Sequence, residues 1–528
     1  MSIFRSRLRA LTRPPAPRRW VYVPYDQLGV FGLLATPPES LGIVMVETPE
    51  KAARRPYHAQ KLAFVLASGR HFALEMALRG VAVDHRVAPA PREGEGSPLV
   101  ATLRAAARDH GPLEVMRPAE RELREELAPL FADGTLCERP HAGWLTTRED
   151  FAAACPRAPF RMDAFYRQAR LRRGVLLEAD GTPTGGRWSF DAENRRTWRP
   201  DLAHPPAPIP PCYAVDDVTE EVGALIRARY AAHPGTLDLS ALPVTAAQAE
   251  AHWGWALDQA LPWFGPFEDA MHSASSGLFH TRIAHLLNVH RVLPARVLAD
   301  ALGREAIPLA SREGFVRQVL GWREFVHHVH EATDGFRTTP GYAGAQRGDP
   351  LPPAYWGAPS GLSCLDHVVA QVLREGWTHH IPRLMVLANI GTLLGVSPRA
   401  LTDWFWAAFV DAYDWVVEPN VLAMGTFGVG EVMTTKPYIA GSAYIHRMSD
   451  HCTGCAFQPG RTCPITPMYW AWLQEHADAL ARNPRVAGPV AAARKRGDGD
   501  ARIAHRVRSL LAAGQRVTPE ALTGESGG

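Results

Sequence analysis

The chain changes character once, and that change limits the folds open to it. Up to about residue 131, short apolar runs alternate with helical patterns. Val21–Pro24, Leu41–Glu47, Val81–Val87 and Leu113–Met116 read as strands. Tyr57–Arg79, Leu99–Arg108 and Ala119–Phe131 read as helices, and Gly80 stands where a left-handed residue closes the first of them. Such alternation implies a parallel sheet covered on both faces. No GxGxxG follows the first strand, so the usual dinucleotide fingerprint is absent. Pro200–Pro211 then packs six prolines into twelve residues, a semi-rigid crossing. Beyond it the apolar spacing is helical over Thr245–Ala260, Ala270–Leu287, Arg312–His330, Leu365–Glu375, Pro382–Leu394 and Pro398–Val410. The expected fold class is therefore α/β plus all-α: a doubly wound parallel-sheet unit followed by a helical one. The expected division is a basic tail over 1–20, an α/β domain over 21–150, a connector over 151–211, a helical domain over 212–486 and a C-terminal tail over 487–528.

Composition narrows the function classes. With 46% hydrophobic and 21% charged residues in 528, the chain is an ordinary globular one. Its net charge of +3 does not by itself mark a nucleic-acid binder. Of the 57 basic residues only Lys51, Lys61, Lys436 and Lys495 are lysine. Arginine suits bidentate contact with phosphate, although an Ala- and Pro-rich genome produces the same bias. Fifteen Trp form core, with some available as electron relays. No apolar run of about 18 residues predicts a membrane span, and the Arg-rich, Pro-broken start lacks the core of a secretory signal, so a solvated tail and a cytoplasmic location are expected. The residues from Ala487 onward read as a loosely attached helix and tail.

Three places carry chemistry. Cys452, Cys455 and Cys463 lie within twelve residues, with Pro464 directly after. Three thiolates on a tight loop form a metal or cluster site, with His446, His451 or Cys364 as the fourth ligand and zinc or iron–sulfur as the occupant. Cys137, Cys155 and Cys212 have no partner spacing and read as packing residues. His379 and His380 sit just before the helix opened by Pro382, where imidazoles can serve as a general acid; a structural pair is the plainer reading. Asp411 and Asp414 close a helix whose stripe is Leu401, Trp404, Phe405 and Ala408. A carboxylate is disfavoured at a helix C-terminus, so those two point to a partner.

Taken together, these segments resemble the iron–sulfur bacterial branch of the photolyase/cryptochrome family, the prokaryotic (6-4) photolyases and photolyase-related proteins. The resemblance spans about Val21 to Leu480. Its motifs include Asp26-Gln27-Leu28, Tyr57-His58, Gly185-Gly186-Arg187-Trp188, Asp191-Ala192-Glu193-Asn194-Arg195, Asp269-Ala270-Met271, Leu278-Phe279-His280, Gly321-Trp322-Arg323-Glu324, His379-His380 with Arg383, Asp411-Ala412-Tyr413, Pro419-Asn420-Val421 and Lys436-Pro437-Tyr438. It implies an N-terminal antenna domain and a helical FAD-binding domain with an iron–sulfur subdomain. It implies FAD held around His280, Thr281, Arg282, Arg383, Asn389, Asp411 and Tyr413. A 4Fe-4S cluster would sit on Cys364, Cys452, Cys455 and Cys463, and a 6,7-dimethyl-8-ribityllumazine antenna near Asp26 and Tyr57. Asp269 and Tyr438 would face the lesion, His379 and His380 would supply the proton, and Trp404 and Trp356 would relay electrons. The implied activity is that of a monomeric, light-dependent (6-4) photolyase acting on UV-damaged DNA; the alternative is a cryptochrome-type photoreceptor. The chain departs from the family in four places. Arg54 stands where an acidic residue is usual, and Phe405 where a redox-active Tyr is. Leu287-Asn288-Val289-His290-Arg291-Val292 replaces Leu-Asn-x-Gly-Leu-Leu, and Val417 takes the place facing the reactive edge of the flavin.

Overall fold

The computed structural model describes residues 2–11, 18–91, 94, 96–201 and 203–523. Residues 12–17 of the expected basic tail and 524–528 at the C-terminus lie outside that set. Five strands form one parallel sheet: β1 (Arg19–Tyr22), β2 (Leu41–Glu47), β3 (Ala82–Val87), β4 (Leu113–Met116) and β5 (Leu136–Arg139), in the order β3-β2-β1-β4-β5. Every pairing is parallel, with Val21 opposite Ile43 and Ile43 opposite Val83. On one face, Tyr22, Val44, Leu103, Val115, Leu123 and Leu127 form a separate buried cluster. On the other, the helix Ala59–Leu78 joins a core that runs without interruption into the helical half through Phe64, Phe72, Phe325 and Trp404. The strand order reverses between β1 and β4. In open α/β sheets, ligands bind outside the carboxyl ends of the strands at such a reversal.

β5 is absent from the sequence reading for a physical reason. Only Leu136 of its four residues is buried, so this short edge strand shows neither alternation nor an apolar run. Three further expectations need correction. The first residues are not a solvated tail: Ile3–Leu11 is a helix that buries Phe4 and Leu8, with Ser2 hydrogen-bonded to Glu221. Nor is the C-terminal region loosely attached. Helices Ala487–Arg494 and Gly499–Ala512 bury Val490, Ala493, Val507 and Leu511, and the Val517 amide donates to the Ser360 carbonyl at 2.8 Å. Finally, Ala270–Leu287 is not one helix. It stays irregular until Ala284–Asn288, with Leu278 and Arg282 at φ of 43° and 55°. Its apolar residues are buried as a helix's would be, but by a loop that wraps a cavity.

A buried ion network fixes the helical half. Glu418, 1% exposed, meets His330 at 2.9 Å, Arg337 at 3.1 Å and Arg399 at 2.7 Å. Burial alone would raise this carboxyl; His330 and the two guanidinium groups outweigh it and hold it at about 2. Removing one member of such a set strands the others without a counter-charge. Glu418→Gln should therefore cost about 3–5 kcal/mol in denaturant unfolding. A loss below about 1 kcal/mol would show that the network is not a stability element.

Candidate functional site

A cavity of about 710 Å³ lies mostly in the helical half, with Met162, Tyr166, Trp188 and Arg195 of the connector on its wall. Arg383 and Asp411 make its most ordered feature. Two parallel hydrogen bonds of 2.9 Å join guanidinium to carboxylate, Arg383 Nε donates to the Thr378 carbonyl at 2.7 Å, and the guanidinium lies 4.2 Å from the Phe409 ring centre. This is the partner that Asp411 needs at its helix end. Asp414 does not close that helix, which ends at Ala408, but opens the next, Asp414–Val417, and it accepts from the Glu122 amide at the start of the helix Arg121–Ala132. A carboxylate there complements the free N–H groups of the first turn.

Above that pair stand three imidazoles. His280 and His379 stack with ring centres 4.3 Å apart, and His380 lies 5.3 Å from His280. His280 Nε2 donates to the Glu268 carbonyl at 3.0 Å. Burial, followed by the charges of neighbouring His and Arg groups, pushes His280 down to about 3 and His379 well below the ordinary histidine range. The two adjacent histidines thus differ. His379 is buried with Nδ1 unpartnered, whereas the His380 side chain is 45% exposed and 3.7 Å from Asp269. Asp269 also accepts from Tyr444 at 3.3 Å. Against the burial that would raise it, His380, Arg195 and Tyr444 hold its carboxyl below the usual value.

Thr281, Arg282, Asp269 and Tyr438 also line this cavity, as do the aromatic side chains of Trp188, Trp322, Trp377, Phe405 and Trp415. Three residues expected here stand elsewhere. Asn389 spends its amide on the two backbone groups of Ala440, at 2.9 and 3.0 Å. Tyr413 faces a different cleft. Trp404 stands one ring behind the wall: Phe405 lines the cavity, Trp404 meets it edge-on at 5.1 Å, and Trp356 follows at 6.5 Å with 41% exposure. The Trp404 N–H is fixed on the Tyr355 carbonyl at 3.0 Å.

The second cleft opens at the carboxyl ends of β1 and β2, beside the loop after β4. Tyr57 lines it, while Asp26 lies behind it, buried, with neither carboxylate oxygen partnered. Burial brings Asp26 up to about 6. Arg54 is not on the lining; it is held on the outside by Glu50 and Glu126. Besides Glu47 and Arg70, the charged groups on its lining include Lys51, 2.8 Å from Glu120 and 2.5 Å from the Tyr25 hydroxyl, and Lys61, whose ammonium donates to the Trp406 and Ala412 carbonyls at 2.7 and 2.5 Å. Sequence reasoning missed these residues, yet a signal exists. Two of only four lysines in an Arg-rich chain sit here. The segment 405–413 is a shared wall: Trp406 and Tyr413 face this cleft, and Phe405 and Asp411 face the cavity.

The cysteines form a third assembly. Cys364 opens the helix Ser363–Glu375, Cys452 and Cys455 follow the helix Ser442–Met448, and Cys463 precedes the helix Ile465–Glu475. Burial, then the three other sulfurs, push the Cys364 thiol well up, and burial takes Cys452 to about 11. None of the four is in a disulfide. Among the described residues, no three of these sulfurs lie mutually within 4.8 Å. A tetrahedral zinc set with 2.3 Å bonds would bring them to about 3.8 Å.

The family model for deoxyribodipyrimidine photo-lyase-related protein matches residues 23–241. A (6-4) photolyase of Agrobacterium fabrum is 32% identical over 467 residues, covering 85% of this chain and 90% of that protein. The chain belongs to the photolyase family. Solved structures agree on the photolyase/cryptochrome fold. A bacterial class III photolyase from Agrobacterium tumefaciens superposes with a TM-score of 0.52 at 14% identity, covering 92% of this chain and 99% of its own. A Synechocystis cryptochrome gives 0.51, also at 14% identity, over 78% and 83%. In this photolyase-family chain, the α/β sheet and the helical half are the two parts of that fold. Among the described residues, no helix is long and apolar enough to cross a membrane.

Proposed function

We propose that this protein is a light-dependent DNA-repair flavoprotein, a (6-4) photolyase, which takes a flipped pyrimidine–pyrimidone lesion into the helical-half cavity. The observation that carries the reading is the cavity itself. Ligand pockets usually measure about 300–1,000 Å³, and at about 710 Å³ this one is of a size to take an extended cofactor. A damaged, poorly stacked base is the cheapest to extrude. FAD fits the residues present: Arg383 paired with Asp411, with Arg282 and Thr281 alongside, would hold it. When bound and reduced, FAD supplies the electron that the excited state lends to the lesion. The protein's own residues do the rest. Asp269 and Tyr438 flank the lesion side. His380, open to the cavity and backed by Asp269, holds the proton that the opening lesion takes. His379, stacked on His280, keeps the wall in place. Arg195 at the rim is placed to meet phosphate, which gives position rather than base readout.

The four cysteines fit a 4Fe-4S cluster by donor type. The cleft at the strand ends fits a lumazine antenna, offering the unpartnered Tyr413 hydroxyl, Lys51 and Glu120 to a flat polar ring. Trp404 and Trp356 are assigned to re-reduction, with Phe405 between Trp404 and the cavity. Trp404→Phe should abolish photoreduction of oxidised flavin and leave the absorption spectrum in the dark unchanged. Undiminished photoreduction would remove Trp404 from the route. The test of the function is illumination of the FAD-loaded protein with an oligonucleotide carrying one (6-4) lesion. Intact pyrimidines should be released in blue light and not in darkness. A flavin photocycle without release would place the chain among the photoreceptors.

A further inference from the structure

The three imidazoles of the cavity are arranged for more than proton donation. Among the described residues, His280, His379 and His380 form the one group of three or more metal-ligating side chains whose ligand atoms all lie within 4.8 Å of one another. Two of the three rings have an acceptor nearby. His280 donates Nε2–H to the Glu268 carbonyl at 3.0 Å, which fixes its tautomer and leaves Nδ1 as the lone pair. A carbonyl or carboxylate behind the ring is the usual means of orienting such a ligand. His380 has that carboxylate in Asp269, 3.7 Å from its Nε2. His379, 4% exposed, has an Nδ1 with no partner. His280 and His379 are already held unprotonated by burial, which is the form that ligates.

We propose that His280, His379 and His380 bind one divalent transition-metal ion of the zinc class, and that the bound ion blocks the proton chemistry of the cavity. Imidazole suits zinc, nickel and copper, whereas magnesium and calcium take oxygen ligands. Three histidines with an open fourth position for water are a familiar zinc set. Zn–N bonds of about 2.0–2.1 Å require the nitrogens to close to roughly 3.4 Å. The His280–His379 stack must tilt to allow this, and the exposed His380 side chain is free to swing in. The ion would take the lone pair on which His380 carries its proton, and would stand where the lesion must enter. The inhibition rests on the repair reading above; the binding rests on geometry alone.

The binding is tested in darkness on full-length, FAD-loaded, tag-free protein. Zn²⁺ is titrated by calorimetry and Co²⁺ by absorption. The expected result is one ion per chain, with Co²⁺ showing imidazole-type visible bands and no sulfur-to-cobalt charge-transfer band in the near ultraviolet. His380→Ala, at an exposed position, should weaken binding by about tenfold or more while the flavin spectrum persists; Asp269→Asn should weaken it by about tenfold. Absent stoichiometric binding, a cysteine-type cobalt spectrum, or His380→Ala binding with parental affinity would each overturn the site. In blue light, saturating Zn²⁺ should stop repair and Mg²⁺ should not. Full repair with Zn²⁺ bound would overturn the inhibition. A protein that binds Zn²⁺ as described but repairs nothing in its absence would refute the repair reading and leave the site standing.

Discussion

Replacing His380 with alanine is expected to lower the repair rate by about 10²–10⁴-fold, the usual contribution of a positioned general acid, with FAD still bound. The two histidines are neighbours in sequence, but the structure separates their roles. His379 is enclosed, stacked on His280 at 4.3 Å, and pushed well below the ordinary histidine range by burial and by the charges of His280, His380 and Arg383. It is therefore neutral at neutral pH and has no extra proton to give. His380 reaches solvent and faces the Asp269 carboxylate. His379→Ala should cost less, through loss of the wall that orients the lesion, and should raise the lesion concentration needed for half-maximal rate. A second signature comes from Asp269→Asn, which leaves His380 in place without its carboxylate: the rate should fall and its pH profile should move. Parental repair by His380→Ala, with loss in His379→Ala, would reverse the assignment.

The second large effect is acid lability. Ten buried histidines, His58, His71, His252, His280, His285, His290, His327, His328, His379 and His451, are held below their ordinary value, chiefly by burial. A histidine kept neutral in the folded state takes its proton at about 6.5 only when unfolded. As pH falls below 6.5 the unfolded state binds more protons, so stability drops. Five buried carboxyls act in the opposite sense. Asp26, Glu120, Glu268, Glu324 and Asp414 are raised by burial and favour the folded state as pH falls from above their raised values toward the ordinary carboxyl range. The histidines outnumber them, so the net effect as pH falls below about 6.5 is a loss of stability. Glu47 and Glu418, each held at about 2, add losses of the same sign from pH 4.5 downward. Urea unfolding at pH 7.5, 6.5 and 5.5 should show a steep fall in the midpoint over the last interval. A flat response would mean that these imidazoles are hydrated and titrate normally.

The parts of this molecule legible from sequence share one property: their pattern is local. β2 begins with an apolar run, β1 and β4 are largely apolar, and the helix Ala59–Leu78 carries its own stop in Gly80, at φ +88°. His379, His380, Arg383 and Asp411 are adjacent enough to read as motifs. Where the deciding contact is distant, the pattern misleads. The apolar spacing of Ala270–Leu287 serves a cavity wall, because Leu278 and Arg282 take positive φ. The N-terminal helix is held by Glu221, the side chain of Asn389 by the backbone of Ala440, and Lys61 by the backbone of residues 406 and 412. His290 shows the same limit. It occupies φ +59°, where the family's glycine would be at ease, and is stabilised there by a 2.7 Å hydrogen bond to the Asp26 carbonyl. None of these partners lies within reach of a sequence window.

The most direct measurement is chromatography of two oligonucleotides after blue-light exposure with the FAD-loaded protein, one carrying a (6-4) lesion and the other a cyclobutane dimer at the same site. The expected result is conversion of the (6-4) oligonucleotide to intact strand in light alone, lost in His380→Ala, with the dimer untouched. An unchanged (6-4) oligonucleotide under illumination, with flavin bound and photoreducible, would contradict the account at its centre.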